Sequence, residues 1–537
     1  MIRLSITFAL LAFLLAGQAS AATYYVSATG DGNDANSGTS PSTPWATLTK
    51  VNNTAFSPGD IINFKRGSTW TGTLVVDSNG VPGHPVTYQA YGTGAAPIIQ
   101  RSATPPTSGY THAIDITGDY NVVGDFLVRH AHEAGIFLSS AATHNTVQGN
   151  EIMAAGTGVM VSGQFNLITE NYVHDLRMIV NTSGGDDDYG AVCFWLQAPN
   201  NEVSYNRGVN CKASSFDYGS DGGFVEVWQN GDNSYVHHNY AKNTNGFFEV
   251  GGRNGTARNM RVAYNILDGT GSSMCLQIGT QFNVVVDNLR FEHNTVANGS
   301  GRFSCISGSI PASTLIVRNN IFPAGSVYSG NFTHSHNLYR SSPGSLGPGE
   351  KVGDPRFVNP SAEDFHLQAG SPAIDAGLDL GYTEDFEDNP VPQGAAPDLG
   401  AFEFGSTGGG GGAVTSVNDN AFSYSGSWSL ATGAGKYLDD DHYTNSTNAF
   451  YTYTFTGTKA QVFAATAPWH GRAGISVDGG LETLVDLYSP TKVNQVPIYT
   501  SPSLPTGTHT VKVRCAGTHN PSSTGNYITA DRIDITN

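Results

Sequence analysis

Short runs of alternating apolar and polar residues recur along the chain, most of them closed by asparagine. They read NTVQGN at 145–150, NLITEN at 166–171, NEVSYN at 201–206, NSYVHHN at 233–239, NMRVAYN at 259–265, NLRFEHN at 288–294 and LIVRNN at 315–320. Successive closing asparagines stand roughly 20 to 35 residues apart, the period of a solenoid in which each repeat is one coil. Alternation with period two predicts a short strand in every unit. Asparagine suits the corner that follows, because it tolerates a left-handed backbone and hydrogen-bonds neighbouring backbone. Stacked coil on coil, these side chains are expected to bond one another along a ladder.

The pattern changes after residue 404. A glycine run from Gly408 to Gly412 is a flexible linker by composition. The expected division is therefore a repeat domain over 22–404, a linker over 405–413 and a second domain over 414–537. The last carries longer alternating runs, AFYTYTF at 449–455 and GTHTVKV at 507–513, between Gly, Ser and Pro turns, as a β-sandwich does. At the other end, Arg3 precedes an apolar run from Leu4 to Leu15, and Ala19, Ser20 and Ala21 follow it. This is the layout of an export signal cleaved after Ala21, so a secreted protein is expected. No later apolar run approaches the about 20 residues needed to span a bilayer, and no membrane partner is expected.

Composition and charge narrow the picture. Gly supplies 65 of 537 residues and charged residues only 13%. That balance suits turn-rich all-β structure and offers little to long helices. A formal charge of −18 argues against a nucleic-acid partner, which needs a basic surface. It also disfavours a broad basic groove for a polyanionic polymer, unless cations bridge the two. The five cysteines, Cys193, Cys211, Cys275, Cys305 and Cys515, match no zinc spacing. Pairing of Cys193 with Cys211, or of Cys275 with Cys305, fits nearby coils, and buried free thiols fit as well.

Further motifs frame the repeats. YYVS at 24–27 leads through GDGND at 30–34 to PWATL at 44–48, and PGD at 58–60 is followed by FKRG at 64–67. Near the end of the repeats stand GDPRF at 353–357, FHL at 365–367, SPAID at 371–375 and PDLGA at 397–401. Over nearly all of residues 22–404 the chain resembles the right-handed parallel β-helix superfamily of secreted polysaccharide-degrading enzymes. That superfamily includes pectate lyases, alginate and chondroitin lyases and several glycoside hydrolases. Segments GISVDG at 474–479, VDLY at 485–488 and DRID at 531–534 resemble β-sandwich modules appended to such enzymes. The resemblance implies an all-β chain: a parallel β-helix, then a jelly-roll-like, carbohydrate-binding-like sandwich. Fold alone does not give activity.

Chemistry has to come from the coils. Parallel strands stack about 4.8 Å apart, so equivalent outward residues on successive coils become neighbours. GFVEVW at 223–228 superimposes on GFFEVG at 246–251. Glu226 and Glu249 are then expected side by side on one exposed sheet, with Gln277 of MCLQIG (274–279) continuing the row and Trp195 before it. Two carboxyls that close repel, which raises a pKa or attracts a cation. A raised carboxyl suits a general acid, with an ionised partner as base or nucleophile. Candidate catalytic residues are Glu226, Glu249, Asp221, Asp188 and Arg253. Trp195, Trp228, Tyr189, Tyr218, Gln277 and Lys212 are candidates for substrate contact, the aromatic ones by stacking on sugar faces. Asp186, Asp187 and Asp217 are candidate calcium ligands or members of a solvated loop.

Three readings follow. A glycoside hydrolase needs clustered acids, which residues 186–253 have in excess, and no cofactor. A lyase of the resembled superfamily implies a Lys or Arg base with calcium held by acids and a uronic-acid polymer; Arg253 fits, but no lysine stands beside the glutamates. A non-catalytic glycan-binding or adhesin scaffold would use the same long surface but needs no stacked acid pair. The hydrolase is favoured, with a polysaccharide as partner and a monomer as the expected state. In the C-terminal domain Trp469, Tyr499, Tyr527 and Asp478 are candidates for glycan contact, while Trp428 suits a core.

Overall fold

The computed structural model describes residues 21–252, 254–269, 274–279, 283–298, 302–307, 313–322, 332–405, 414–433, 435–457, 459–480, 482–501, 504, 507–520 and 522–536. The expected export signal, Arg253 and residues 406–413 of the expected linker lie outside the described residues. The chain divides into two compact units, residues 1–171 and 172–537.

Both units contain coils in which most turns contribute one strand to each of three parallel sheets. In the first unit, one sheet holds Leu74–Val76, His112–Ile116, Ala134–Leu138 and Thr157–Val161. In the second, the corresponding sheet holds Val192–Leu196, Gly223–Val227, Gly246–Val250, Met274–Gly279 and Arg302–Ser307. Parallel crossovers are right-handed by strong preference, and the fold is a right-handed parallel β-helix. Branched and aromatic residues fill its interior: Val225, Val227, Val250, Leu276 and Ile278 are fully buried. Strict alternation fails at the strand starts. Phe224 and Phe247 share the parity of the two glutamates yet are buried, stacked at 5.3 Å. Only from Val225 and Phe248 onward do neighbours point to opposite faces.

The asparagine ladder forms. In the second unit Asn206, Asn239, Asn265, Asn294 and Asn320 each pass a side-chain hydrogen bond to the next rung, ending at Asn337, at 2.9–3.1 Å. Each rung also binds backbone. Asn265 Nδ2 donates to Val236 O and Ala263 O, and its Oδ1 accepts the Asn239 backbone N–H. The left-handed residue, however, is the one before: Tyr205, His238, Tyr264 and His293 have φ between 51° and 55°. The ladder asparagines are buried instead, because their carboxamides satisfy corner groups that water cannot reach. The opening asparagines Asn233, Asn259 and Asn288 do take positive φ.

A closing segment packs back on earlier coils, with Phe365, Ala401 and Phe402 against Tyr240 and Ile266. Cys193 and Cys211 form a disulfide, whereas Cys275 is a buried free thiol and so is Cys515. The Cys275–Cys305 pairing is therefore not made; Gln277, not Cys275, registers with Cys305. Residues Val414–Asn418 to Arg532–Thr536 form antiparallel sheets around a core of Phe422, Tyr451, Val462, Ile475, Val511 and Ile533. Trp428 packs on that core.

Replacing Asn265 by Ala strands several buried partners at about 1–3 kcal/mol each. Urea unfolding of N265A is expected to show a loss of about 3 kcal/mol or more; a loss below about 0.5 kcal/mol would remove the ladder's structural role.

Candidate active site

The parallel register places Trp195 beside Glu226, Glu226 beside Glu249, and Glu249 beside Gln277. Four outward side chains thus form one row across neighbouring strands, spaced by the about 4.8 Å of paired strands. Both glutamates are half-buried. Burial, then the charges of Glu249 and Asp221, holds the Glu226 carboxyl well above its ordinary range. Burial and Asp221 push Glu249 up to about 7. Gln277 Nε2 donates to Glu249 Oε1 at 3.1 Å, a bond that favours the ionised form of Glu249 over that of Glu226. Asp221, at the end of the hairpin Ala213–Ser215 with Gly219–Asp221, is itself raised by burial and by Asp188. The row and Asp221 therefore share fewer charges than carboxyls near neutral pH.

Aromatic side chains flank this row. Trp195 meets Trp228 edge-on at 6.1 Å, and Tyr189 meets Trp195 at 6.1 Å. Trp195 is buried and acts as a wall; Trp228 is 37% exposed and can take a sugar face. Gly251 makes room for that ring: a Cβ there would lie 2.9 Å from the Trp228 ring and 3.3 Å from Glu249 Oε1. Lys212 follows the disulfide-bonded Cys211 and leads into the Asp221 hairpin.

The remaining acids belong to a loop clamp. Asp188 accepts Thr182 N–H on one oxygen, and Ser215 Oγ–H and Asp217 N–H on the other. Asp217 accepts the N–H groups of Gly184, Asp187 and Asp188. These donors hold the Asp188 carboxyl below its ordinary range against its burial. Tyr218 is half-exposed and donates to Asp186 Oδ1 at 2.7 Å. Asp187, Asp188 and Asp217 come within 4.8 Å of one another. Calcium takes six to eight oxygens; here every oxygen of Asp188 and Asp217 already holds a proton donor. The set fits a hydrogen-bonded tie between two hairpins better than a cation cage.

A second polar cluster was not legible in the sequence. In the first unit His112 bridges Asp115 at 2.6 Å and Glu133 at 3.0 Å, with its ring 4.5 Å from that of Phe137. The two carboxylates outweigh burial and push His112 up to about 9, so it is an imidazolium at neutral pH. The only signal was HAIDI at 112–116, a strand of the same type as GFVEV. His237 and His238 contact each other, Glu202 and Asp385 O, and stand on a different sheet from the acid row.

No protein-family model matches the chain. Pectate lyase L of Dickeya dadantii (strain 3937) is 25% identical over 417 residues, covering 71% of this chain and 90% of that protein. A lacto-N-biosidase of Bifidobacterium longum subsp. longum is 43% identical over 77 residues, 14% of this chain, and this match spans only 5% of that much longer protein. Among solved structures, the pectate lyase Pel9A covers 72% of this chain and 98% of its own, at 18% identity and a TM-score of 0.47.

A carboxyl raised in the folded state stabilises below its ordinary pKa, and that contribution is lost as pH rises through the folded value. For Glu249 the loss runs from the ordinary carboxyl range up to about 7. Calorimetry is expected to show E249Q losing less Tm than the parent between pH 5 and pH 8, by about 2–4 °C. Parallel pH profiles would mean that Glu249 titrates normally.

Proposed function

We propose that the protein hydrolyses glycosidic bonds of a neutral polysaccharide. The observation that carries this is the in-register pair Glu226–Glu249, both raised, with Asp221 beside them. Glu226 keeps its proton and donates it to the leaving glycosidic oxygen. Glu249, held by Gln277, carries the charge and attacks the anomeric carbon or takes a proton from water. Carboxyls on adjacent rungs approach the short separation of retaining enzymes. Trp228 supplies a stacking face, and the surrounding acids disfavour a uronate polymer. Acid pairs of this kind are what a hydrolase needs and an adhesin does not.

A lyase is the second reading, favoured by the likeness to pectate lyase L over most of both chains. It would require a base from outside the described acid row, such as Arg253.

Export accords with the apolar run after Arg3 and with the Cys193–Cys211 disulfide, a bond that persists in oxidising compartments. Turnover by E226Q and by E249Q is expected to fall at least about 100-fold, with the folded near-ultraviolet dichroism kept. The pH–rate profile of E226Q should lose its basic limb. Normal turnover in both variants would overturn the assignment.

A further inference from the structure

The closing segment crosses the coils over two histidines that the acid row does not use. His237 ends the strand Tyr235–His237, His238 follows it in the left-handed conformation at φ 54°, and both rings are buried. Their Nδ1 atoms stand 2.7 Å apart. His237 Nε2 lies 3.2 Å from Glu202 Oε1 on the preceding coil, and His238 Nε2 lies 2.7 Å from the backbone oxygen of Asp385 in the closing segment. A metal does not fit between the Nδ1 atoms, since two zinc–imidazole bonds of about 2.0 Å at a tetrahedral angle hold the nitrogens more than about 3 Å apart.

These partners fix the number of protons. A carbonyl oxygen only accepts, so His238 Nε2 carries a proton. The bond from His237 holds the Glu202 carboxyl below its ordinary range, so it is a carboxylate and His237 Nε2 carries a proton too. The Nδ1 contact needs a third, shared between the rings. Two neutral imidazoles hold only two, so the pair carries one positive charge. Burial, then the charge of His237, pushes His238 down to about 3, which leaves that charge beside Glu202.

Asp385 is a rigid anchor for this contact. Its carboxylate accepts the N–H groups of Glu387, Asn389 and Glu403. The His238 ring stacks with Tyr205 at 4.8 Å, with Tyr264 of the next coil at 5.7 Å and with Phe386 of the closing segment at 6.3 Å. Tyr205 in turn donates to Asp388. Around His237 the Tyr235 ring lies at 3.9 Å, with the Arg261 guanidinium on its face at 4.6 Å. Of the charged groups on the surrounding elements, Glu202, Glu384, Asp385 and Asp388 favour the extra proton and Arg261 opposes it.

We propose that the His237–His238 pair is a one-proton latch that fastens the closing segment to the coils. When the third proton leaves, one of the three hydrogen bonds fails: two lone pairs face each other, or one faces Glu202 or the Asp385 carbonyl. A buried acceptor pair without its proton is costly, so the segment opens more often around Asp385. The charge of the pair stabilises the segment below the pH of release and is lost above it. Glu403 and Asp398 of the same segment, pushed up by burial to about 7 and about 6, also stabilise less as pH rises, without the histidines. The latch does not depend on the hydrolytic reading.

Hydrogen exchange of the full chain, read by mass spectrometry and corrected for the intrinsic effect of pH, tests it. Between about pH 6 and pH 9, opening around Asp385 is expected to increase at least about 10-fold relative to the coil around Asn265. E202Q should bring that increase about one pH unit lower. H238Q, whose carboxamide donates to the Asp385 oxygen at any pH, should keep only the part due to Glu403 and Asp398. A flat profile in the parent, an equal increase in H238Q or an unmoved midpoint in E202Q would each overturn the latch. Parent and E202Q decide alone should H238Q not fold.

Discussion

Backbone hydrogen bonding between successive coils is the constraint from which the other features derive. Each coil must pair with the next along three sheets, and its corners must satisfy polar groups buried away from water. The asparagine ladder meets the second need, each carboxamide bonding the next rung and, in its middle rungs, the backbone as well. Because pairing is parallel and in register, residues 23 and 28 apart in the chain become nearest neighbours: Glu226 meets Glu249, and Glu249 meets Gln277. The acid pair is thus a consequence of the coil period.

That register also sets the electrostatics. A parallel sheet cannot spread two outward side chains on adjacent rungs much beyond the strand spacing. Two carboxyls held there, half-buried between Trp195, Trp228 and Gln277, cannot both ionise cheaply. Asp221 adds a third negative group from a hairpin that the Asp188 and Asp217 clamp holds in place. The acids in and around the row accordingly divide in two. Asp188 and Asp217 spend their oxygens on backbone donors and build the loop, whereas Asp221, Glu226 and Glu249 hold raised carboxyls.

Much of this was legible in the sequence because the signals were periodic. The closing asparagines marked the coils, and GFVEV over GFFEV marked the glutamate row. Features made by several chain segments at once were not legible. The burial of Phe224 and Phe247 breaks the alternation that placed their neighbours correctly. The left-handed residue sits one position before the asparagine, where Tyr and His occupy it. His112 found Asp115 and Glu133 only once two coils were stacked. Asp188 looked like a reactive acid, but its three donors come from residues 6, 27 and 29 positions away.

The raised acid pair is proposed to hydrolyse a glycosidic bond. Incubating the protein with neutral and uronic-acid polymers, and following reducing ends together with ultraviolet absorbance, tests it most directly. New reducing ends from a neutral polymer are expected, with no rise in absorbance. Absorbance rising in step with reducing ends, on a uronic-acid polymer, would signal unsaturated products of elimination and contradict it.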